Sequence, residues 1–352
     1  MTATDPIRPR AVRARAPLRL GFAGGGTDLS PFCDEHGGFV MNATVALYAY
    51  AYLEPRQDGR VHFVALEHDQ TFDHEALPVL PLAGEALLHR GVYNRIVRDF
   101  NGGKPLSVTV RTSVDVPSGS GMGGSSALVV ALVEAYRNYL RLPLGEYDIA
   151  KLAFSIERED LLLAGGKQDQ YAAAFGGFNF MEFGAKGHAI INPLRVPEAM
   201  VNELEASLVL YYTGQARESA NIIETQQKNI TAHDKSSLEA TMRLKDEAVA
   251  MKEALLTCNI SALAETLRRG WEAKKATSSA ISNNEIERIL ELSMQVGALA
   301  GKVSGAGGGG FLMLVCPPHL RQKLVDMLGQ QPGKLLPCKF TPEGATSWRA
   351  LS

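Results

Sequence analysis

Pro117-Ser118-Gly119-Ser120-Gly121-Met122-Gly123-Gly124-Ser125-Ser126-Ala127 is the stretch on which the fold turns. Upstream of it, Ser107 to Val116 alternates β-branched residues in the manner of a strand, and downstream the apolar run Ala127 to Tyr139 reads as a helix. A strand therefore feeds a glycine-rich loop that opens a helix. Glycines let the backbone approach a ligand closely, and the free N–H groups at a helix start favour an anion. Ser125 and Ser126 add hydroxyls for a phosphate oxygen or for magnesium, which prefers hard oxygen ligands. Pro117, Gly119, Ser120, Gly121, Met122, Gly123, Gly124, Ser125 and Ser126 are the candidate nucleotide-binding residues. Taken alone, the stretch also reads as a glycine turn with Ser125 capping the helix. Gly119, Gly121 and Gly124 satisfy GxGxxG, which keeps a nicotinamide oxidoreductase as an alternative. Gly305, Gly307 and Gly310 satisfy it too, however, and the first half lacks repeated βαβ alternation. No Gly-Lys pair is followed by Ser or Thr, so there is no Walker-type loop.

Outward from that loop, the N-terminal part is rich in strand signals. Arg13 to Phe22 alternates and meets Gly24-Gly25-Gly26, Phe39 to Leu53 is strand-like, and Asp58-Gly59 is a hairpin turn leading into Val61 to Leu66. Ile149 to Leu163 has helical spacing, broken at Gly165-Gly166, and Phe178 to Phe183 reads as a further strand. After a strand at Ser207 to Tyr212, Ser219 to Ser279 and Asn283 to Leu299 are mostly helical. Two short apolar runs between Lys302 and Cys316 flank the glycines from Gly305 to Gly310, and a helix follows from Pro318 to Leu328. The spacing predicts an α+β fold with two domains, residues 1–200 carrying the phosphate loop and residues 201–352.

Composition narrows the function. The 352 residues are 45% hydrophobic, enough for a large core, and 36 Lys and Arg against 38 Asp and Glu leave a formal charge of -2. No single-sign field is available to condense on nucleic acid or an anionic membrane. Cys33, Cys258, Cys316 and Cys338 are far apart and suit reduced thiols. The basic start, Arg8, Arg10, Arg13 and Arg15, is followed by no apolar signal or membrane-spanning stretch, and a cytoplasmic location is expected, with the terminus frayed.

Three further pieces matter together: Arg19 on a strand running into Gly24, Gly25, Gly26, Thr27 and Asp28; Glu157 with Gly165-Gly166-Lys167-Gln168-Asp169-Gln170; and Gly305 to Gly310. Phosphoryl transfer is mainly positioning and charge neutralisation, so a site needs magnesium ligands, phosphate-facing N–H groups, a cation and a group for the nucleophile's proton. With these pieces in this order, the chain resembles the GHMP kinases (galactokinase, homoserine kinase, mevalonate kinase and phosphomevalonate kinase relatives) over nearly its whole length. Met122 and Gly124 stand where the family usually has Leu and Ser.

The resemblance implies a β-rich N-terminal and an α+β C-terminal domain with the active site in the cleft between them, and it implies ATP and Mg2+ as cofactors. By position, Asp169 and Arg19 look like the catalytic pair, Ser125 and Glu157 like the magnesium ligands, and Gly24, Gly25, Gly26, Thr27, Asp28, Gly166, Gln168, Arg217, Gly307 and Gly308 like binders of substrate. Arg217 and Lys274 or Lys275 are the basic residues offered for a phosphate already on the substrate. Within the family the motifs look most like sugar kinases that phosphorylate the anomeric C1 hydroxyl of D-glycero-D-manno-heptose 7-phosphate, with L-fucose kinases next. A noncatalytic sugar or nucleotide sensor on the same fold is a further alternative. The expected partner is a small sugar phosphate, with neither nucleic acid nor membrane, and a homodimer is left open.

Overall fold

The computed structural model describes residues 10–214, 219–232 and 234–351; Arg8 lies outside them. Its spine is an antiparallel pair, β1 (Val12–Ala23) and β2 (Gly38–Pro55), in register from Val12 opposite Leu53 to Ala23 opposite Met41. Period-two alternation sends Val12, Ala14 and Ala16 inward and leaves Arg13 and Arg15 half-buried on the other face. β3 (Arg60–Ala65), β4 (Gln70–Glu75) and β5 (Val108–Val114) extend the sheet from the C-terminal half of β2. β6 (Phe178–Phe183) and β7 (Ala189–Pro193) extend it from the N-terminal half. A second antiparallel sheet is made from β8 (Leu208–Tyr212), β9 (Ala300–Val303), β10 (Phe311–Val315) and β11 (Lys334–Leu336), in the order β11-β8-β10-β9.

The helices are α1 (Phe32–His36), α2 (Leu87–Phe100), α3 (Gly124–Leu140), α4 (Glu146–Ser155), α5 (Gln168–Phe175), α6 (Glu198–Ser207), α7 (Ser219–Thr231), α8 (Lys235–Leu256), α9 (Ile260–Lys275), α10 (Asn284–Gln295) and α11 (Arg321–Gly329). The mixed α and β architecture expected from the sequence is the one observed. The expected boundary near residue 200 falls inside α6, and the last strand, β12 (Thr346–Arg349), returns to pair with β1. The first sheet thus draws on both ends of the chain.

Packing fixes the loop that matters. α3 is apolar on almost every side, as buried helices are, and Leu128, Val129, Val130, Leu132 and Val133 are fully enclosed against β1 and β2. Burying each such side chain is worth about 1.5–3 kcal/mol, so the first turn of α3 is held rigidly where the glycine loop ends. In the second sheet the two faces divide: Leu208, Leu210, Met313 and Val315 join the main core, whereas Val209, Leu312 and Leu314 join a smaller one with Trp271, Ile286, Ile289 and Leu324. The second sheet is thereby locked to the main core through one of its faces.

The long helical stretch expected from Ser219 to Ser279 is divided by two side-chain caps: Asp234 accepts from Ser237 N, and Asn259 accepts from Ala262 N. The helix expected over Ile149 to Leu163 stops being α-helical at Ser155 and widens into a π turn at Ile156–Asp160, where Leu161 N donates to Ile156 O. Such widened turns re-aim side chains, and this one holds Glu157 inside. No helix among the described residues is long and apolar enough to cross a membrane, and all four cysteines are unpaired.

Candidate active site

A cavity of about 700 Å³ opens between the glycine loop, the start of α5, the Gly25–Gly26 turn and α9. Pro117, Gly119, Ser120, Gly121, Gly123, Gly124, Ser125 and Ser126 line it, while Met122 is buried beneath. Gly119, Gly121 and Gly123 adopt φ of +71°, +78° and +75°, which side chains other than glycine resist. The loop is clamped from below. Arg19 N donates to Met122 O, Phe311 N donates to Ser120 O, and a Cβ on Gly121 would lie 2.3 Å from Ser304 O. Ser125 is not the helix cap, since Gly123 occupies that position. It sits exposed in the first turn, with Ser126 buried behind it.

At the mouth of this loop, residues 150 positions apart meet. Arg19 Nε, from β1, donates to Asp169 Oδ1, in the first turn of α5, at 2.7 Å. Arg19 Nη1 also donates to Gly121 O at 2.6 Å, so the arginine is fixed by its backbone neighbours as well as by the carboxylate. The Asp169 side chain keeps 25% of its surface exposed. A Cβ on Gly123 would come within 3.1 Å of Asp169 Cγ, which places the carboxylate directly over the glycine loop.

Glu157 is fully buried and accepts from Ser126 Oγ at 3.1 Å and from Gln170 Nε2. Burial pushes its carboxyl up from the ordinary range, with Asp169 adding to that, while Arg158, Gln170 and Ser126 work against it. A divalent cation beside it would stabilise the charged form. Among the described residues no three His, Cys, Asp or Glu side chains cluster as a metal cage. One buried carboxylate with neighbouring serine hydroxyls suits magnesium, which takes few protein ligands and completes its shell with phosphate oxygens and water.

Asp28 behaves differently. It is buried, and its carboxylate accepts four N–H donors: Gly26 N and Gln168 Nε2 on Oδ1, Lys167 N and Gln168 N on Oδ2. A carboxylate offers about four lone pairs, so the expectation that Asp28 binds sugar hydroxyls meets a group already engaged in pinning the glycine turn to α5. Gly166 is glycine for the same reason, as a Cβ there would sit 2.0 Å from Asp28 Oδ2. Thr27 is likewise internal, donating to Gly24 O and Phe39 O. Asp28 itself, almost fully buried, lines the cavity together with Gly25, Gly26, Gly166 and Gln168.

Gly307 and Gly308 do not. Their loop is packed on Ile281, whose carbonyl accepts from Gly308 N at 2.6 Å and would lie 2.8 Å from a Cβ on Gly307; Gly305 and Ala306 face the cavity instead. Arg217 lies outside the described residues. Lys275 is on the surface, paired with Glu272 and Glu287. Lys274 is in the cavity and buried, its Nζ donating to Gly25 O at 2.8 Å. Sequence reasoning missed Gln226, which lines the same end, and Lys302, whose Nζ donates to Gly21 O and Phe22 O. Burial, then the charges of Lys274 and Arg19, bring the Lys302 amine down to about 7. Both residues sit in ordinary-looking helical and strand contexts, and no local signal marks them.

Comparison with known proteins bears directly on this arrangement. The pattern of the GHMP kinases N terminal domain matches residues 87–177, and that of the GHMP kinases C terminal region matches residues 251–334. The chain is 46% identical over 340 residues to the D-glycero-alpha-D-manno-heptose 7-phosphate kinase of Campylobacter jejuni, covering 97% of this chain and 99% of that protein. A crystal structure of a D-glycero-D-manno-heptose 1-phosphate kinase from Bacteroides thetaiotaomicron superposes with a TM-score of 0.82 at 41% identity, covering 97% of this chain and 100% of that one. Lactococcus lactis galactokinase complexed with galactose, at 15% identity, shares the fold alone, with a TM-score of 0.74 over 96% of this chain and 95% of that one.

Proposed function

Because the chain belongs to the GHMP kinase family, we propose that it is an ATP-dependent sugar kinase acting on a heptose phosphate, and specifically that it phosphorylates the anomeric C1 hydroxyl of D-glycero-D-manno-heptose 7-phosphate to the 1,7-bisphosphate. The observation that carries the reading is the Arg19–Asp169 pair, fixed over the glycine loop at one end of the cavity. The loop's backbone N–H groups and the start of α3 would hold the phosphates of ATP. Asp169 would accept the hydroxyl proton as the sugar oxygen bonds to the γ-phosphorus and the bond to ADP breaks. Arg19 would steady the carboxylate and offset charge on the moving phosphoryl group. An anomeric hydroxyl is more acidic than an ordinary alcohol, which eases that proton transfer. Magnesium, held by Glu157 and Ser125, would neutralise phosphate charge when bound.

The two close relatives are named for the same sugar but for different phosphate positions, so the acceptor must be identified on this chain. A coupled ADP-release assay across heptose 7-phosphate, heptose 1-phosphate, mannose 6-phosphate, fucose, galactose and mevalonate tests it. Turnover should be greatest with heptose 7-phosphate. Preference for a neutral sugar, or for heptose 1-phosphate, would overturn the specific assignment, and tight ATP binding with no turnover on any acceptor would favour the sensor.

A further inference from the structure

The acceptor end of the cavity carries a cation that the chemistry above does not use. Lys274, in the last turn of α9, is 6% exposed, and among the described residues its ammonium gives one hydrogen bond, to Gly25 O. An ammonium has three donors, so two remain without an acceptor among the described residues, in a buried position. Beside it stands Gln226 of α7, whose Nε2 gives one N–H to Thr277 Oγ1 at 2.7 Å and carries a second N–H that can donate to an anion. The two converge on Gly26, where a Cβ would lie 3.0 Å from Lys274 Nζ and 3.9 Å from Gln226 Nε2. Burial lowers the Lys274 amine to about 8, with Asp28 pulling it up and Arg19 pushing it down. A seated anion would offset that desolvation.

Position decides which anion. Arg19, Ser304 and Phe311 are hydrogen-bonded to the glycine loop, whereas Lys274 is hydrogen-bonded to the Gly25–Gly26 turn. Between the two lie the Arg19–Asp169 pair and Gln168, whose Nε2 would be 3.7 Å from a Cβ on Gly25. A nucleotide's phosphates belong at the loop, so a cation at the far end meets the other substrate. We propose that Lys274, with Gln226 beside it, is the specificity-determining receptor for a phosphate monoester that the acceptor already carries, and selects phosphorylated over neutral sugars. The inference deepens the sugar-kinase reading and rests on it.

The test compares wild type, Lys274→Gln, which keeps a donor for Gly25 O but removes the charge, and Lys274→Arg. Loss of a charge-assisted hydrogen bond should raise KM for the sugar phosphate by about 10- to 100-fold in Lys274→Gln. KM for ATP and KM for the unphosphorylated sugar should move far less, and arginine should restore much of the loss. An equal rise for phosphorylated and unphosphorylated sugars, a fall in kcat alone, or no change would overturn the proposal. If wild type turns over no sugar phosphate, the kinase reading fails separately. Calorimetric titration of inorganic phosphate onto the magnesium–ADP complex of wild type and Lys274→Gln then still decides the receptor, with binding expected in wild type and lost in the variant, and equal binding to both contradicting it. Should Lys274→Gln not fold, Gln226→Leu replaces it, with the same selective rise in KM expected.

Discussion

Two aspartates flank the start of α5, and they are put to opposite uses. Asp28 is buried and accepts four N–H groups, so its charge is consumed in joining the glycine turn to the helix. Asp169, one turn away, is held by Arg19 through one oxygen and keeps a quarter of its side-chain surface open to the cavity. The difference lies in satisfaction and not in residue type: a carboxylate whose lone pairs are all paired is a structural tie, and one with an oxygen to spare can do chemistry. The same contrast recurs among the cations, where Arg19 is fixed by Asp169 and Gly121 O while Lys274 holds unspent donors.

Matched substitutions can break that contrast. Asp169→Asn should cost about 10²–10⁴-fold in kcat, the usual worth of a positioned acid–base group, while the affinity for a nonhydrolysable ATP analogue and the melting temperature stay close to wild type. Asp28→Asn should do the reverse. Turning an acceptor oxygen into a donor that faces N–H groups should destabilise the fold by about 1–3 kcal/mol, read by denaturant unfolding, and a stable Asp28→Asn enzyme with abolished turnover would place Asp28 among the reacting groups after all. Glu157→Gln should raise the magnesium concentration needed for half-maximal rate by about 10-fold or more. Because burial raises the Glu157 carboxyl, it takes up a proton before ordinary carboxylates as pH falls. The magnesium requirement of wild type should therefore climb toward acid pH, and that of Glu157→Gln should stay flat.

The smallest expected effect is on pH dependence at the acceptor end. The Lys274 amine, lowered to about 8 by burial, with Asp28 opposing the drop and Arg19 adding to it, is charged below that pH and loses its proton above it. The second ionisation of a phosphate monoester is centred near pH 6 and nearly complete by about pH 8, so above that pH the lysine side changes and the phosphate does not. KM for the sugar phosphate should rise a few-fold above pH 8 in wild type and remain level in Lys274→Arg.

Much of the glycine-loop end of the cavity was legible in the sequence because it is local. Strand, glycine loop and helix follow one another from Ser107 to Tyr139, and the positive φ of Gly119, Gly121 and Gly123 accounts for the composition. The family resemblance located Arg19 and Asp169, whose meeting no spacing rule could give. The acceptor end was harder. That Asp28 is spent depends on N–H groups 139 and 140 residues away, and Gln226 and Lys274 reach Gly26 only through the packing of α7 and α9. The resemblance offered Gly307 and Gly308 as binders, yet both lie on Ile281, a contact 26 and 27 residues away that the glycine run does not announce. Among elements, α2 escaped notice: Arg90 and Gly91 interrupt its apolar stripe, and it begins without a capping side chain. β12 is a four-residue strand whose place is set by β1, more than 300 residues upstream.

The most direct test of the whole account is the identity of the product. With ATP, magnesium and D-glycero-D-manno-heptose 7-phosphate, phosphorus NMR should show a second monoester signal coupled to the anomeric proton, growing in step with ADP. ATP consumed to inorganic phosphate alone, or a new phosphate coupled to any other position of the sugar, would contradict it.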